Sequence, residues 1–456
     1  MYDVAIIGGG PGGYVAAIKA AQLGGKVFLA EEKELGGTCL NWGCIPTKAM
    51  FHSAKLFSQA NHGAQYGLVF DNLKLDYGKV ASHRSQVVET LVKGVHSLMK
   101  ANAIDVAKGR ASIPAAGKVV VGDEQVEAKN IIIATGSSQG TPPIPGVDSP
   151  GVMTTDDILA SDELPQSLLV LGGGVVGVEF ASIMSAFGVE VTLVEMLPGL
   201  LSTLDSELGR RLSVCMRKSG VDIHVNSKVC SITERDGKLE VEIEGKKGRQ
   251  HLTVEKVLLA AGRVPNLGGL DLDGLNIDYD RQGIKVDSTM LTNVPGIYAI
   301  GDCVPGPMLA HVASHQGIVA AENIMGNKAE MDYRVIPSCV FSLPEVASVG
   351  LSEEQAKELG EVQVSKFPFA ANGKALAQGA TEGMVKMVAN QEGTILGVHI
   401  IGPQASDLVA EGAVAVQTNM TAAQLAHIIH AHPTLAETVA EAAHGLSGGF
   451  IHFQNR

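Results

Sequence analysis

The sequence is short of aromatic residues and of positive charge. Aromatic residues make up 4% of its 456 residues, and 35 basic residues stand against 48 acidic ones, a formal net charge of −13. A chain this acidic lacks the broad attraction that nucleic acids and anionic membranes require, so neither is an expected partner. No apolar run reaches the roughly 18 residues of a membrane span. The first strand pattern, at residues 3–7, leaves no room for a signal or transit peptide as written, so we expect a cytoplasmic protein.

Cysteine is scarce as well, with six residues in the chain. Disulfide staples are rare in reducing compartments, so four of the six are expected to be free and buried: Cys215, Cys230, Cys303 and Cys339. The other two, Cys39 and Cys44, lie close together in the stretch GGTCLNWGCIPTK at 36–48. Such a pair can be redox-active, bind a metal or form an inert bridge. Lys48 follows Cys44 by one helical turn and could lower the pKa of a thiolate there, which favours the redox interpretation.

Glycine, by contrast, is abundant, with 54 residues, and 45% of the chain is hydrophobic. This composition is typical of large α/β proteins with many tight turns between strands and helices. At about 150 residues per domain, the length predicts about three domains.

The first glycine-rich turn lies between a strand pattern and a helix pattern near the start of the sequence. Gly8, Gly10 and Gly13 fit the spacing GxGxxG, and Glu31 ends the next strand pattern. Glycines at these positions let the backbone approach a pyrophosphate at the helix N-terminus, and the acid can accept hydrogen bonds from a ribose. Glu32 is the competing acid, but a strand that ends near residue 30 favours Glu31. We therefore predict a dinucleotide site here.

The same arrangement recurs in the middle of the chain. Gly172, Gly174 and Gly177 repeat the spacing, and Glu195 ends the strand pattern that follows. A carboxylate at that strand end favours a free ribose 2′-hydroxyl and repels a 2′-phosphate, which indicates NAD rather than NADP. Each of the two glycine-rich motifs is followed, further along the chain, by another apolar strand pattern that ends in a turn of small residues. These patterns lie at 131–137 and at 257–263.

Beyond the second unit, a strand pattern ends at Gly301 and Asp302, and a helix pattern begins near Met308. A carboxylate in this position could bind a ribityl or ribose hydroxyl, although a Gly-Asp pair is equally typical of a simple turn. The last hundred residues carry no glycine motif and alternate helices with strand-like runs at 345–350, 384–388 and 395–401. They predict an α+β domain suited to subunit contacts.

The sequence HAHPTLAETVAEAAHG near the C-terminus offers a candidate acid–base pair. His432 lies five positions before Glu437, which could orient it for proton transfer with a thiol. The alternative is that Glu437 closes a helix N-terminus in a capping box with Thr434. His427 and His430 lie nearby, but no carboxylates or cysteines accompany them at ligand spacing, so no metal site is expected.

Six motifs, taken together, resemble those of the flavoprotein disulfide reductases. They are GGGPGG, GGTCLNWGCIPTK, IIIATGS, GGGVVGVE, the GD of YAIGDC and HPTLAE, in the family's order across the whole chain. The resemblance implies an α/β fold with two Rossmann-like dinucleotide-binding domains, for FAD and for NAD, and a C-terminal α+β dimerisation domain. The implied segments are 1–145 and 266–335 for FAD, 146–265 for NAD and 336–456 for the interface.

Carried over residue by residue, the resemblance implies two sets of cofactor-binding positions. FAD would be bound by Gly8, Gly10, Gly13, Glu31, Lys48, Ala111, Thr135, Gly136, Ser137, Asp302, Met308, Leu309, Ala310 and His311. NAD would be bound by Gly172, Gly174, Gly177, Glu179, Glu195, Val229 and Gly262.

Within this family the chain is most similar to the branch that oxidises protein-bound dihydrolipoyl groups and reduces NAD⁺. By that match Cys39 meets the substrate and Cys44 faces the flavin. Lys48, paired with Glu179, would stabilise negative charge on the flavin and on the Cys44 thiolate. His432, oriented by Glu437, would act as the base at the disulfide of the partner subunit in a homodimer. The implied partners are lipoyl domains of 2-oxo acid dehydrogenase complexes or the lipoyl carrier protein of glycine cleavage.

Two features depart from the family's pattern, Trp42 between the cysteines and the segment HVASHQG at 311–317. Neither touches the chemistry, and both could alter the surroundings of the cofactor. Two other functions stay open at this point: a docking subunit with a vestigial flavin, and a flavin-dependent NADH dehydrogenase that ignores disulfides.

Overall fold

The first part of the chain forms a largely parallel sheet with helices packed against it. The computed structural model describes residues 1–246 and 248–454. Its first elements are β1 (Tyr2–Ile7), α1 (Pro11–Gln22), β2 (Val27–Glu31), α2 (Gly37–Trp42), α3 (Cys44–Asn61), α4 (Tyr77–Ala101), β3 (Asp105–Lys108), β4 (Ala111–Ala115), β5 (Lys118–Val121), β6 (Glu124–Ile133) and β7 (Ser137–Gln139). β1 lies between β2 and β6, and β3 extends the sheet beyond β2, all in parallel. β5 and β4 continue from β6 as antiparallel strands.

The second part repeats this plan with a five-stranded sheet. Its elements are β8 (Val152–Met153), α5 (Thr155–Ala160), β9 (Ser167–Leu171), α6 (Val175–Ala186), β10 (Glu190–Val194), α7 (Ser206–Lys218), β11 (Asp222–His224), β12 (Lys228–Arg235), β13 (Lys238–Gly245), β14 (Gly248–Val254), β15 (Lys256–Leu259) and β16 (Arg263–Pro265). The strand order is β11-β10-β9-β15-β8, and every pair is parallel. β9 is apolar from Leu168 to Leu171, as is typical of a parallel strand covered on both faces. β12, β13 and β14 form a separate antiparallel sheet.

The chain then returns to the first sheet. The next elements are β17 (Tyr279–Asp280), β18 (Gly283–Ile284), β19 (Ile297–Ala299) and α8 (Ala310–Ile324). β19 pairs in parallel with the end of β6, and α8 packs along α1. The two helices lie close together because Gly317 faces the carbonyl oxygen of Gly12, where an added Cβ would approach to 2.5 Å.

The last part is an antiparallel sheet with helices packed against it. Its elements are β20 (Ser338–Val340), β21 (Glu345–Gly350), α9 (Glu353–Leu359), β22 (Val362–Pro368), α10 (Gly373–Ala377), β23 (Met384–Asn390), β24 (Ile395–Gly402), α11 (Ala405–Gln417), α12 (Ala422–Ala426) and α13 (Glu437–Ser447). The strand order is β20-β21-β24-β23-β22. α11 packs on β21 and β24, and α13 packs on β22 and β23. Their shared core includes Val385, Val398, Ile400 and Val439, all fully buried.

The chain forms two α/β units, each built on a largely parallel sheet, followed by an α+β unit. This architecture confirms the predicted fold class. The α8 helix begins at Ala310 rather than near Met308, because Leu309 is still in an extended conformation. Across the described residues, no helix is long and apolar enough to cross a membrane.

The expected burial of the four outlying cysteines is wrong for three of them. All four thiols are free, but only Cys303 is buried. Cys215 lies on the amphipathic helix α7, Cys230 on the edge strand β12, and Cys339 on the edge strand β20, so each keeps some contact with solvent.

Candidate active site

The first glycine-rich turn joins β1 to α1 and faces the end of β2. Gly8 has φ +107°, in the left-handed region, and a Cβ on Gly13 would collide with the carbonyl oxygen of Gly8. The Glu31 carboxylate, at the end of β2, accepts the N–H of Gly9 at 2.6 Å and the N–H of Lys33 at 2.7 Å. The acid predicted to meet a ribose therefore lies against the turn.

The second turn, between β9 and α6, repeats this geometry. A Cβ on Gly177 would collide with the carbonyl oxygen of Gly172. The Glu195 carboxylate accepts the N–H of Gly173 at 2.5 Å and that of Leu197 at 2.6 Å. Each turn is thus held by a carboxylate from the neighbouring strand.

The middle glycine of each motif shows that the turns fit a dinucleotide. Gly10 and Gly174 have φ −70° and −74°, which residues other than glycine adopt without strain. A Cβ on Gly174 would meet no atom within 4 Å, and one on Gly10 would approach only the Cα of Gly37, at 3.9 Å. Neither backbone strain nor crowding by the protein explains glycine here. The open space at each helix N-terminus is where a pyrophosphate binds.

The two candidate redox cysteines lie on either side of a helix break. Cys39 is in α2, Gly43 interrupts the helix, and Cys44 opens α3. Both thiols are free and hydrogen-bond to each other. The hydrogen bond from Cys39 and then the Lys48 ammonium lower the pKa of Cys44 to about 7, although burial acts against them. The same hydrogen bond, together with burial, raises the pKa of Cys39. The pair therefore has one thiol suited to be a thiolate and one suited to stay protonated.

Lys48 is held beside the cysteines by a buried carboxylate. Its Nζ lies 2.9 and 3.0 Å from the two carboxylate oxygens of Glu179, on α6. Glu179 also accepts the N–H of Phe341 at 3.0 Å, and Lys48 Nζ lies 4.6 Å from the centre of the Phe341 ring. These contacts join α3 to α6 of the second unit and to the segment after β20. Glu179 thus forms a salt bridge with Lys48 of the same chain.

Asp302 belongs to a hydrogen-bond network, only some of whose residues were predicted from the sequence. It lies in the short 3₁₀ turn Gly301–Cys303, and its carboxylate accepts the Ser137 hydroxyl at 2.6 Å. Arg263 donates to the Ser137 hydroxyl at 2.7 Å and to the Ser137 carbonyl at 2.6 Å, and it lies 3.8 Å from Asp302.

Arg263 was not predicted as a site residue, and neither was Asn266. Asn266 donates to the Thr135 carbonyl at 3.1 Å, and its own carbonyl accepts the Thr135 hydroxyl at 2.7 Å. Both residues reach the turn after β6 because β16 pairs with β7 across the two units. The signal in the sequence was Arg263 itself, the last residue of the small-residue turn at 257–263, with Asn266 three positions later.

The remaining predicted cofactor positions lie in turns, at a helix start and in two cores. Gly136 and Gly262 have φ +68° and +111°, which glycine tolerates best. Met308 and Leu309 lead into α8, Ala310 and His311 begin it, and burial lowers the pKa of His311. The last two positions pack among apolar side chains. Ala111 lies in the core of the first sheet, and Val229 packs against the core of the second unit.

The candidate base is paired with its carboxylate as predicted from spacing. His432 Nδ1 lies 2.8 Å from Glu437 Oε1, and Glu437 Oε2 accepts the N–H of Thr434 at 2.8 Å. Burial raises the pKa of Glu437, but the Thr434 amide and His432 outweigh it, so the pKa is lowered. Glu437 therefore contacts the histidine. The alternative of a capping box is wrong, because α13 begins at Glu437 itself, after Ala436, and the Thr434 hydroxyl donates to the Ala431 carbonyl instead of capping the helix.

His432 is far more open than the cysteine pair. Its side chain is 78% exposed, just before a helix that packs against β22 and β23, whereas α3 packs against α4 and α6. In the described part of one chain, His432 makes no hydrogen bond or ion pair with Cys39 or Cys44. The neighbouring His430 contacts Glu411, with Nε2 2.6 Å from the carboxylate. Within the same residues, no group of three histidine, cysteine or acidic side chains is arranged to hold a metal ion.

Comparison with known proteins gives the family. Residues 2–317 match the family described as pyridine nucleotide-disulphide oxidoreductase, and residues 336–443 match its dimerisation domain. The chain belongs to this family. As a pyridine nucleotide-disulphide oxidoreductase it uses FAD and NAD, and the dimerisation domain makes it a homodimer.

Similar members of the family match along the whole length. The chain is 41% identical to a dihydrolipoyl dehydrogenase of Bacillus subtilis, covering 99% of both chains. It is 42% identical to a dihydrolipoyl dehydrogenase of Geobacillus stearothermophilus, covering 99% of this chain and 97% of that one. Among solved structures, LpdA from Mycobacterium tuberculosis has a TM-score of 0.90 at 27% identity, covering 97% of this chain and 99% of the other.

Proposed function

We propose that this protein oxidises protein-bound dihydrolipoyl groups to the lipoyl disulfide and reduces NAD⁺ to NADH. The observation that carries the proposal is the Cys39 and Cys44 pair, whose thiols differ in acidity, in a chain 41% identical along its length to a dihydrolipoyl dehydrogenase. When bound, FAD supplies the two-electron carrier between the dithiol and NAD⁺.

The chain's own residues divide the work of thiol–disulfide exchange. With Cys39 and Cys44 joined as a disulfide, His432 takes the proton from one substrate thiol, and the resulting thiolate attacks the sulfur of Cys39. The second substrate thiol displaces Cys39, which closes the lipoyl disulfide and leaves both cysteines reduced. Lys48, held by Glu179, stabilises the Cys44 thiolate that departs in the first step. Glu437 keeps His432 in the tautomer with Nδ1–H and leaves Nε2 to carry the proton.

We assign the two turns to different cofactors. FAD is held by the first turn, by Lys48 and Ser137, by Asp302 and by the start of α8; NAD is held by the second turn, with Glu195 at its adenosine ribose. The division into 1–145 and 266–335 for FAD, 146–265 for NAD and 336–456 for the interface is supported by the return of β19 to the first sheet. The exposed His432 acts on the disulfide of the partner subunit.

The macromolecular partners follow from the substrate. We propose lipoyl domains of 2-oxo acid dehydrogenase complexes, or the lipoyl carrier protein of glycine cleavage, as the source of the dithiol. The free thiols of the chain support work in a reducing compartment, the cytoplasm.

An anaerobic titration of the purified holoenzyme tests this function. We expect dihydrolipoamide to reduce the enzyme and NAD⁺ to reoxidise it, while glutathione and NADP⁺ leave the absorbance spectrum unchanged. Reduction by glutathione, or turnover with NADP⁺ at the rate seen with NAD⁺, would contradict the proposal.

A further inference from the structure

A deeply buried ionic cluster lies between α7 and the C-terminal sheet, away from the cysteines. The Lys386 side chain, on β23, is 2% exposed. Its Nζ lies 2.9 and 2.8 Å from the carboxylate oxygens of Asp205 and 2.8 Å from Glu353 Oε2. Charges are buried this deeply only where partners compensate them, and removing one partner leaves the other unpaired.

Asp205 connects two units of the chain through a single carboxylate. Its side chain is fully buried and caps α7, accepting the N–H of Glu207 at 3.1 Å. It also accepts the N–H of Glu353, at the start of α9, at 3.1 Å. Burial opposes its charge, but the contacts with Lys386 and its neighbours keep the pKa of Asp205 lowered. The ion pair with Lys386 therefore fixes the first turn of α7 to the C-terminal unit.

Asp205 also ends the segment that covers the second glycine-rich turn. Residues 196–204 lead from Glu195 to Asp205. Within this segment, the N–H of Leu201 donates to the Gly173 carbonyl at 2.9 Å. The side chain of Leu200 covers Gly173, where an added Cβ would lie 2.6 Å from Leu200 Cδ2, and both leucines are buried. The segment is therefore fixed at Glu195, at Gly173 and at Asp205.

We propose that Lys386 is a positioning residue for the second dinucleotide site: by holding Asp205, it keeps residues 196–204 against the glycine-rich turn and so sets the affinity for the adenosine half of NAD. This inference rests on the proposed assignment of NAD to the Glu195 site. Without the ammonium, Asp205 moves toward water to regain solvation, and the segment that ends on it loosens from Gly173. The dithiol side of the enzyme, on α2 and α3, has no contact with Lys386 among the described hydrogen bonds and ion pairs.

The experiment measures ADP-ribose binding to the holoenzyme by calorimetry. ADP-ribose carries the adenosine half of NAD and no nicotinamide, so it reports on this half alone. We expect Lys386→Met to weaken ADP-ribose binding about tenfold and to raise the KM for NAD⁺ similarly, with the KM for dihydrolipoamide unchanged. The matched control is Lys218→Met. It also removes a lysine from an ion pair, because Lys218, at the end of α7, pairs with Glu382, but here both side chains are 63% exposed. It should bind ADP-ribose like the wild type.

A role limited to folding would lower the melting temperature of Lys386→Met and leave ADP-ribose affinity unchanged, which would overturn the inference. If Lys386→Met fails to fold, Asp205→Asn takes its place, because the amide keeps a capping acceptor and Lys386 keeps Glu353. Weaker ADP-ribose binding by Asp205→Asn supports the inference, and wild-type affinity overturns it. A wild-type enzyme that does not bind ADP-ribose would remove the NAD assignment and this inference with it.

Discussion

The acidities of Cys39 and Cys44 differ because one thiol donates a hydrogen bond that the other accepts. Cys44 also has the Lys48 ammonium nearby, while the pKa of Cys39 is raised by the hydrogen bond and by burial. A thiolate is the attacking or departing form in disulfide exchange, and the lower pKa makes the better leaving group. Attack on Cys39 with departure of Cys44 is therefore the favoured direction.

This asymmetry predicts a spectroscopic difference between the two cysteines. In Cys39→Ala, Cys44 cannot form a disulfide, and its thiolate beside oxidised flavin should give long-wavelength absorbance. A thiolate is present above its pKa and lost below it, so the band should fade as pH falls. Its midpoint should lie above the pKa of about 7 that Cys44 has beside the Cys39 thiol, because the alanine side chain cannot donate the hydrogen bond. Absorbance during a pH titration measures this. Cys44→Ser should show no band at any pH, and a surviving band would reverse the two roles.

The pairing of His432 with Glu437 predicts a selective loss of activity. Glu437→Gln keeps an acceptor for the Thr434 amide but replaces the carboxylate that fixes the histidine tautomer. We expect dihydrolipoamide oxidation to fall about 10²-fold, with electron transfer from NADH to a dye preserved. Steady-state kinetics of both reactions measure the difference. Equal losses in the two reactions would show that Glu437 supports the fold rather than the base.

At the scale of elements, two glycines of the second glycine-rich turn are expected to serve different purposes, Gly174 the binding of the dinucleotide and Gly177 the packing of the fold. Gly174→Ala adds a methyl group to open space, so we expect normal stability and FAD content with a KM for NAD⁺ raised about tenfold. Gly177→Ala forces a methyl group against the Gly172 carbonyl, which should destabilise the fold by about 2 kcal/mol. Thermal unfolding and NAD⁺ kinetics distinguish the two. Loss of stability in Gly174→Ala would mean that its glycine serves the fold.

The same scale shows how far the sequence predicts the molecule. β21 has the predicted ends, because a short apolar run is set by local periodicity. The Cys39 helix, α2, was not predicted, since it is six residues long and ends at Gly43. Arg263 was also missed, because its contact with Ser137, 126 positions away, depends on the pairing of β7 with β16. Local patterns predict elements and motifs, whereas contacts between units require the folded chain.

At the scale of the whole molecule, a single chain places the proposed base and the cysteine pair on different units. His432 lies exposed on the C-terminal unit, and Cys39 lies on the first unit. A homodimer resolves this separation if each C-terminal unit reaches the other chain's cysteines. Each active site would then combine the cysteines of one chain with His432 of the other.

That arrangement predicts that two inactive variants restore each other. In a heterodimer of Cys44→Ser and His432→Gln chains, one site carries both defects and the other carries none. Co-expression with two affinity tags isolates this heterodimer, and we expect about half of the wild-type rate of dihydrolipoamide oxidation. The matched control pairs Cys44→Ser with Cys39→Ser, which leaves a defective cysteine in both sites and should restore nothing. If His432 served its own chain, both sites of the first heterodimer would carry a single defect, and its activity would stay at the level of the parent variants.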